Sequence, residues 1–161
     1  MKALTIVLSV IAALLIALIA VFLLGGALGV EASVTTTPAA QDAPGFAAAV
    51  EGVEAGSAPL VLETPDAENA GAYALTDVTV TFANSGLFNA EWLTFEIVPS
   101  VGDVAVCSQS ASVLDVPARS QAQLTLRLLS KSGASGAGRA LEVEYYVLGM
   151  RRTMTVPLEL S

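Results

Sequence analysis

Asp77-Val78-Thr79-Val80-Thr81-Phe82-Ala83-Asn84-Ser85-Gly86 is the stretch that decides the fold. Val78, Val80 and Phe82 alternate with Thr79 and Thr81, a period of two that turns one strand face to a core and the other to solvent. Asn84-Ser85-Gly86 then supplies a turn. The same alternation returns in Leu93, Phe95 and Ile97, in Leu124, Leu126 and Leu128, in Leu141, Val143, Tyr145 and Val147, and in Met154, Val156, Leu158 and Leu160. Short strands are expected near Leu60–Leu62 and Val104–Cys107. Turn residues separate these runs: Pro99–Asp103, Pro117–Ser120 and Ser132–Gly136. Pro157 points outward and marks the last strand as an edge or a bulge. About seven strands, each with one apolar face, predict an all-β antiparallel sandwich over residues 60–161.

Residues 77–86 are followed by Ala90-Glu91-Trp92 and a strand, and Leu114-Asp115-Val116-Pro117-Ala118-Arg119-Ser120 leads into Gln123-Leu124-Thr125-Leu126. Over residues 74–129 this succession resembles the small prokaryotic immunoglobulin-like modules of the CARDB type. Ala118 stands where those modules usually carry glycine. The resemblance implies an immunoglobulin-like sandwich and a spacer, adhesive or assembly role, with no shared catalytic residues.

Upstream, Ala3 to Val30 carries no charge, and 23 of its 28 residues are hydrophobic. As a helix it reaches about 42 Å, against about 30 Å of bilayer hydrocarbon. Residues 1–31 therefore read as a transmembrane signal-anchor that contacts the lipid bilayer through residues 3–30. Gly25-Gly26 and Gly29 are expected at its end. Lys2 before the segment and Glu31 after it place the N-terminus in the cytoplasm and the domain outside. The competing reading is a cleaved signal peptide, with small residues at Ala27 and Gly29 or beyond Val30 at Ala32, which would release a secreted soluble domain. Residues 32–59 are 20 of 28 Ala, Gly, Pro, Ser or Thr and predict a flexible tether with an end-to-end distance of roughly 30 Å, apart from a brief helical turn at Phe46–Val53.

Composition excludes several chemistries. The chain has no histidine and one cysteine, so Ser-His-Asp and Cys-His catalysis, His-containing zinc sites and an intrachain disulfide are all out of reach. Net charge is −8 with seven scattered basic residues, a poor footprint for nucleic acid. No cofactor is expected.

The candidate sites are few. Asp66, Glu68, Gly71 and Asp77 fall at positions 1, 3, 6 and 12 of a calcium-loop register, but Ala70 occupies position 5 and a polar loop explains the same residues. Glu142 and Glu144 share a strand face about 6.6–6.8 Å apart, a spacing seen in carboxylate-dependent hydrolases, and also what a solvated strand face requires. Ser130-Lys131-Ser132 suggests a Ser/Lys dyad, although a Gly/Ser-rich loop would not hold it in geometry. Cys107 reads as a small buried apolar residue, with an intermolecular disulfide as the alternative outside the cytoplasm. Trp92 has the opposite parity to Leu93, Phe95 and Ile97, on a sheet edge or in a binding surface.

The remaining surface expectation comes from topology. In an immunoglobulin-type sandwich the loops Asn84–Asn89, Pro117–Ser120 and Leu148–Arg152 share one end. That end would gather Leu87, Phe88, Arg119, Met150, Arg151 and Arg152 as an interaction patch, with the chain from the membrane arriving there. The alternative reading is that Leu87 and Phe88 plug the core. The sequence thus points to a membrane-anchored, non-enzymatic binding or scaffolding module with a protein partner in the membrane or envelope. A secreted domain and a carboxylate-dependent hydrolase are the alternatives.

Overall fold

Alternating strands can bury their apolar faces only by stacking, and two stacked antiparallel sheets are what the computed structural model shows. It describes residues 2–24 and 27–158, with side chains at 6–21 and 27–158. The first sheet has the order β1 (Leu28–Pro38), β3 (Tyr73–Asn84), β7 (Ser120–Lys131), β5 (Asp103–Gln109), β2 (Leu60–Val61). The second has the order β6 (Val113–Val116), β4 (Ala90–Val98), β8 (Ala140–Val147), β9 (Met150–Pro157). Between them lie Val78, Val80 and Phe82 from β3, Leu124, Leu126 and Leu128 from β7, and Leu141, Val143, Tyr145 and Val147 from β8. These are the positions that the period of two selects. Pro157 closes β9, an edge strand where a missing N–H leaves no ladder bond unmade. Glu159 and Leu160, assigned to the same strand from sequence, lie outside the described residues.

Residues 32–59 differ from expectation. They are not a flexible tether. Leu28–Pro38 pairs with β3 over its whole length, from Leu28 opposite Asn84 to Pro38 opposite Ala74. Val30 and Val34 pack against the core, alternating with Glu31, Ser33 and Thr35. Residues 28–31, assigned to the membrane segment from sequence, therefore belong to the sheet. Next comes helix α2 (Ala43–Glu54), longer than the expected turn. Asp42 caps it, its Oδ1 accepting from the Gly45 amide at 3.0 Å, with Pro44 in the first turn. A Cβ at Gly45 would lie 2.2 Å from the Asp42 carboxylate, so that cap requires glycine.

Phe46, Ala49 and Val50 of α2 cover the outer face of the first sheet, on Tyr73, Leu75, Val104 and Leu129. Phe46 stacks on Tyr73 with ring centroids 5.6 Å apart. The molecule therefore has three layers, and the outer face of the second sheet is the one left uncovered by helix.

Helix α1 (Lys2–Leu24) has 23 residues, and its described side chains are exposed except the half-exposed Ala20. Among the described residues no helix is long and apolar enough to cross a membrane. The side chains of residues 2–5 and 22–24 fall outside that description, as do Gly25 and Gly26.

Candidate functional site

At one end of the sandwich meet the start of β1, the β3–β4 loop, the β6–β7 turn and the β8–β9 turn. The side chain that builds this pole is Asn84, buried at the end of β3. Its Nδ2 donates to the Phe88 carbonyl at 2.8 Å and the Val116 carbonyl at 2.9 Å, while its Oδ1 accepts from the Gly86 amide at 3.0 Å. One amide thus folds the loop and ties it to β6. The Ala118 amide donates to Asn89 Oδ1 at 3.0 Å, which fastens the β6–β7 turn to the same loop. The Ser85 amide and hydroxyl both donate to the Ala27 carbonyl, at 3.0 and 3.3 Å. The chain coming from α1 is fixed at this pole.

The backbone here is strained. Trp92, Arg119 and Leu148 are the three non-glycine residues with positive φ among those described, at +57°, +59° and +53°. Each such residue costs roughly 1–2 kcal/mol, because Cβ crowds the carbonyl. Trp92 sits in a bulge of β4 where its amide donates to Asp115 Oδ1 at 2.7 Å. Leu148-Gly149 closes the β8–β9 hairpin in two residues, both with positive φ, a turn in which asparagine would ordinarily precede the glycine.

The side chains named from sequence divide as follows. Leu87 is exposed and Phe88 is half-buried against the core, so Phe88 is the plug and Leu87 is not. Arg119 and Met150 are exposed on their turns, and Arg152 is half-buried on β9. Arg151 turns away to pair with Glu144 on the outer face of the second sheet. Trp92 and Leu148, absent from the expected patch, are 68% and 45% exposed. Trp92 lines a shallow groove of about 350 Å³ with Glu91, Tyr146 and Gly149. Leu87 and Leu148 line its neighbour of about 290 Å³, which shares Glu91. Sequence parity already marked Trp92 as outward, whereas Leu148 was hidden by its place in a turn.

A second concavity, of about 490 Å³, lies on the uncovered face of the second sheet. Glu96 and Glu142 are directly opposite each other across β4 and β8 there, and Glu144 stands opposite Thr94. Arg151 and the Tyr146 hydroxyl engage Glu144 and hold its carboxyl below the usual range. Glu96 and Glu142 make no ion pair among the described residues.

Other sequence candidates are not assembled. The calcium-loop residues are held elsewhere: Asp77 lies on β3 with both oxygens on Arg127, at 2.6 and 2.9 Å, while Asp66 Oδ1 accepts from the Glu68 amide in a local turn. No metal-holding group of carboxylates occurs among the described residues. Ser130 and Lys131 lie in β7 and not in the following loop. Ser130 is buried, whereas Lys131 pairs with Glu63 at 2.7 Å. Sequence reasoning missed the reason for the buried Ser130, which is Arg139. This arginine is 2% exposed and pairs with Asp103, with Ser130 bonded to both. Cys107 is half-buried near α2, and burial pushes its thiol up to about 11.

No protein-family model matches the chain, and no curated protein matches it. Among solved structures the chain is similar to the GAE domain of yeast GGA1, at 10% identity and a TM-score of 0.41, covering 63% of this chain and 97% of that one. It is also similar to the GAE domain of GGA2p from Saccharomyces cerevisiae, at 12% identity and a TM-score of 0.35, covering 65% and 96%. A third likeness is to the cupredoxin domain of amoB from Nitrosocaldus yellowstonii, at 13% identity and a TM-score of 0.31, covering 54% and 57%. At such scores these likenesses say nothing of function.

Proposed function

We propose that this protein is a membrane-anchored, extracytoplasmic binding or scaffolding module that performs no chemistry of its own and holds a protein partner in the membrane or envelope. The observation that carries the reading is the short link between helix and sheet: only three residues separate the end of the 23-residue α1 at Leu24 from the start of β1 at Leu28. All 23 residues of α1 together, including those whose side chains are not described, reach about 34 Å, against the roughly 30 Å of bilayer hydrocarbon. Cleavage beside Gly29 or Ala32, which the secreted reading needs, would fall inside β1. It would remove Leu28 or Val30 from the core they pack against. The resemblance of residues 74–129 to CARDB-type modules agrees with a spacer or assembly role.

The partner's seat is the uncovered face of the second sheet. Like charges directly opposite on neighbouring strands are destabilising, so Glu96 and Glu142 favour a basic partner surface that would relieve them. The test is purification of the tagged full chain from detergent-solubilised membranes. A co-purifying protein, released by salt and lost on Glu96→Lys with Glu142→Lys, is the expected result. A chain that purifies alone, or a partner indifferent to both substitutions, would refute the reading.

A further inference from the structure

We infer that the pole bearing Leu87, Trp92 and Leu148 rests in the interfacial layer of the bilayer that α1 enters, so that the sandwich stands on the membrane in one orientation. The inference rests on the anchor reading above and adds to it a lipid-contacting surface on the folded domain.

Chain length is the first argument. Leu24 ends α1 and Leu28 starts β1, so four Cα steps of about 3.5 Å allow at most about 14 Å between them. The polar layer on one side of a bilayer is about 5–8 Å deep. A pole on so short a leash stays against the lipid headgroups. The opposite pole lies roughly 40 Å away, the length of the 12-residue β3.

Strain is the second. All three positive-φ non-glycine residues among those described lie at this pole, and at Trp92 and Leu148 the strained backbone is joined to an exposed apolar side chain. In water each residue carries two penalties. In the interfacial layer burial of the side chain offsets both, at about 25 cal/mol per Å². Tryptophan, with an apolar ring and one polar N–H, is enriched in that layer. Charge is the third argument. Arg119, exposed on the same pole, offers a lipid phosphate one cation beyond the exposed Glu91 that lines both grooves.

Trp92 is the single tryptophan, so its fluorescence reports this pole alone. The full chain is reconstituted into vesicles of phosphatidylcholine and phosphatidylglycerol, with and without bromine on the upper acyl chain. Flotation first shows whether the chain enters the bilayer. A chain that does not float refutes the anchor reading and this inference with it. In floated vesicles Trp92 should emit to the blue of its emission in urea and lose the larger part of its intensity to brominated lipid. In a Trp92→Phe, Val101→Trp variant the reporter moves to an exposed loop at the opposite pole and should be unaffected by bromine. Floated protein whose Trp92 stays water-like overturns the inference and leaves the anchor standing. Equal quenching at both positions also overturns it, because the domain would then lie on the membrane without a preferred pole. Shielding of Trp92 in native membranes but not in pure lipid would assign the pole to a protein.

Discussion

Arg139 and Asp103 form the most demanding contact in the molecule, both side chains being about 2% exposed. Asp103 accepts from Arg139 Nε at 3.0 Å, and Ser130 joins the pair. Removing one member of such a pair leaves a bare charge in a low dielectric, which costs about 3–5 kcal/mol. Arg139→Met should therefore lower the unfolding free energy measured in urea by that amount, and adding Asp103→Leu should restore most of it. An Arg139→Met effect no larger than that of surface Arg119→Met would show that the pair contributes little. This network was not legible in the sequence. Its members come from two loop-flanking segments and β7, 27 and 36 residues apart, and no periodicity links them. Cys107, which the sequence reads as buried, is half-buried. Burial is the largest influence on it and disfavours the anion, while nearby Arg127 partly offsets this. The folded chain thus keeps the thiol proton where the unfolded chain loses it. Its contribution to stability is whole below the ordinary value of 9.0 and declines as pH rises toward about 11. Denaturation midpoints measured across that window should fall in the native chain and fall less in Cys107→Ala. Identical slopes would refute the argument.

At the scale of elements, what could be read was whatever alternated against solvent. β3, β4, β7, β8 and β9 each keep one polar face, so a period of two shows them. β1 was hidden because its alternation, Leu28, Val30 and Val34, runs directly on from an apolar segment that swamps it. α2 was hidden by composition. Its alanines and glycines resemble a linker, although Phe46, Ala49, Val50 and Val53 follow the spacing of an amphipathic helix behind the Asp42 cap. A trace of α2 did exist in β7, where Leu128 and Leu129 are adjacent and both buried, facing opposite layers. A strand covered on both faces loses its alternation. The structural role of β1 predicts the outcome of truncation. A chain beginning at Ser33 loses the pairing of Leu28–Ala32 with Val80–Asn84 and the half-buried Leu28 and Val30. Each such side chain contributes up to about 1.5–3 kcal/mol when fully buried, and less here. Its melting temperature should fall several degrees below that of a chain beginning at Ala27. Equal melting temperatures would mean that β1 adds nothing to the sandwich, and the secreted reading would regain its footing.

The sandwich is arranged along one axis, with the arriving strand β1 at one pole and the buried Arg139 network towards the other. On the proposed anchor reading, charge sets the orientation across the membrane. Lys2 precedes α1, the last turn of the helix has no basic residue, and Glu31 follows. Cytoplasmic retention of the positive flank would then send the acidic sandwich outward. Ser57, exposed after α2, makes the prediction testable, because its hydroxyl donates only to the Gly52 carbonyl in the same segment. Ser57→Cys should therefore fold like the parent chain. The native Cys107, half-buried and with its thiol pushed up, should react slowly with maleimide at neutral pH and give a low background. In intact cells, a membrane-impermeant maleimide should label Ser57→Cys as fully as it does after permeabilisation. Labelling that appears only after permeabilisation would place the sandwich in the cytoplasm. The positive flank would then lie outside, and a partner would have to be sought on the inner face of the membrane.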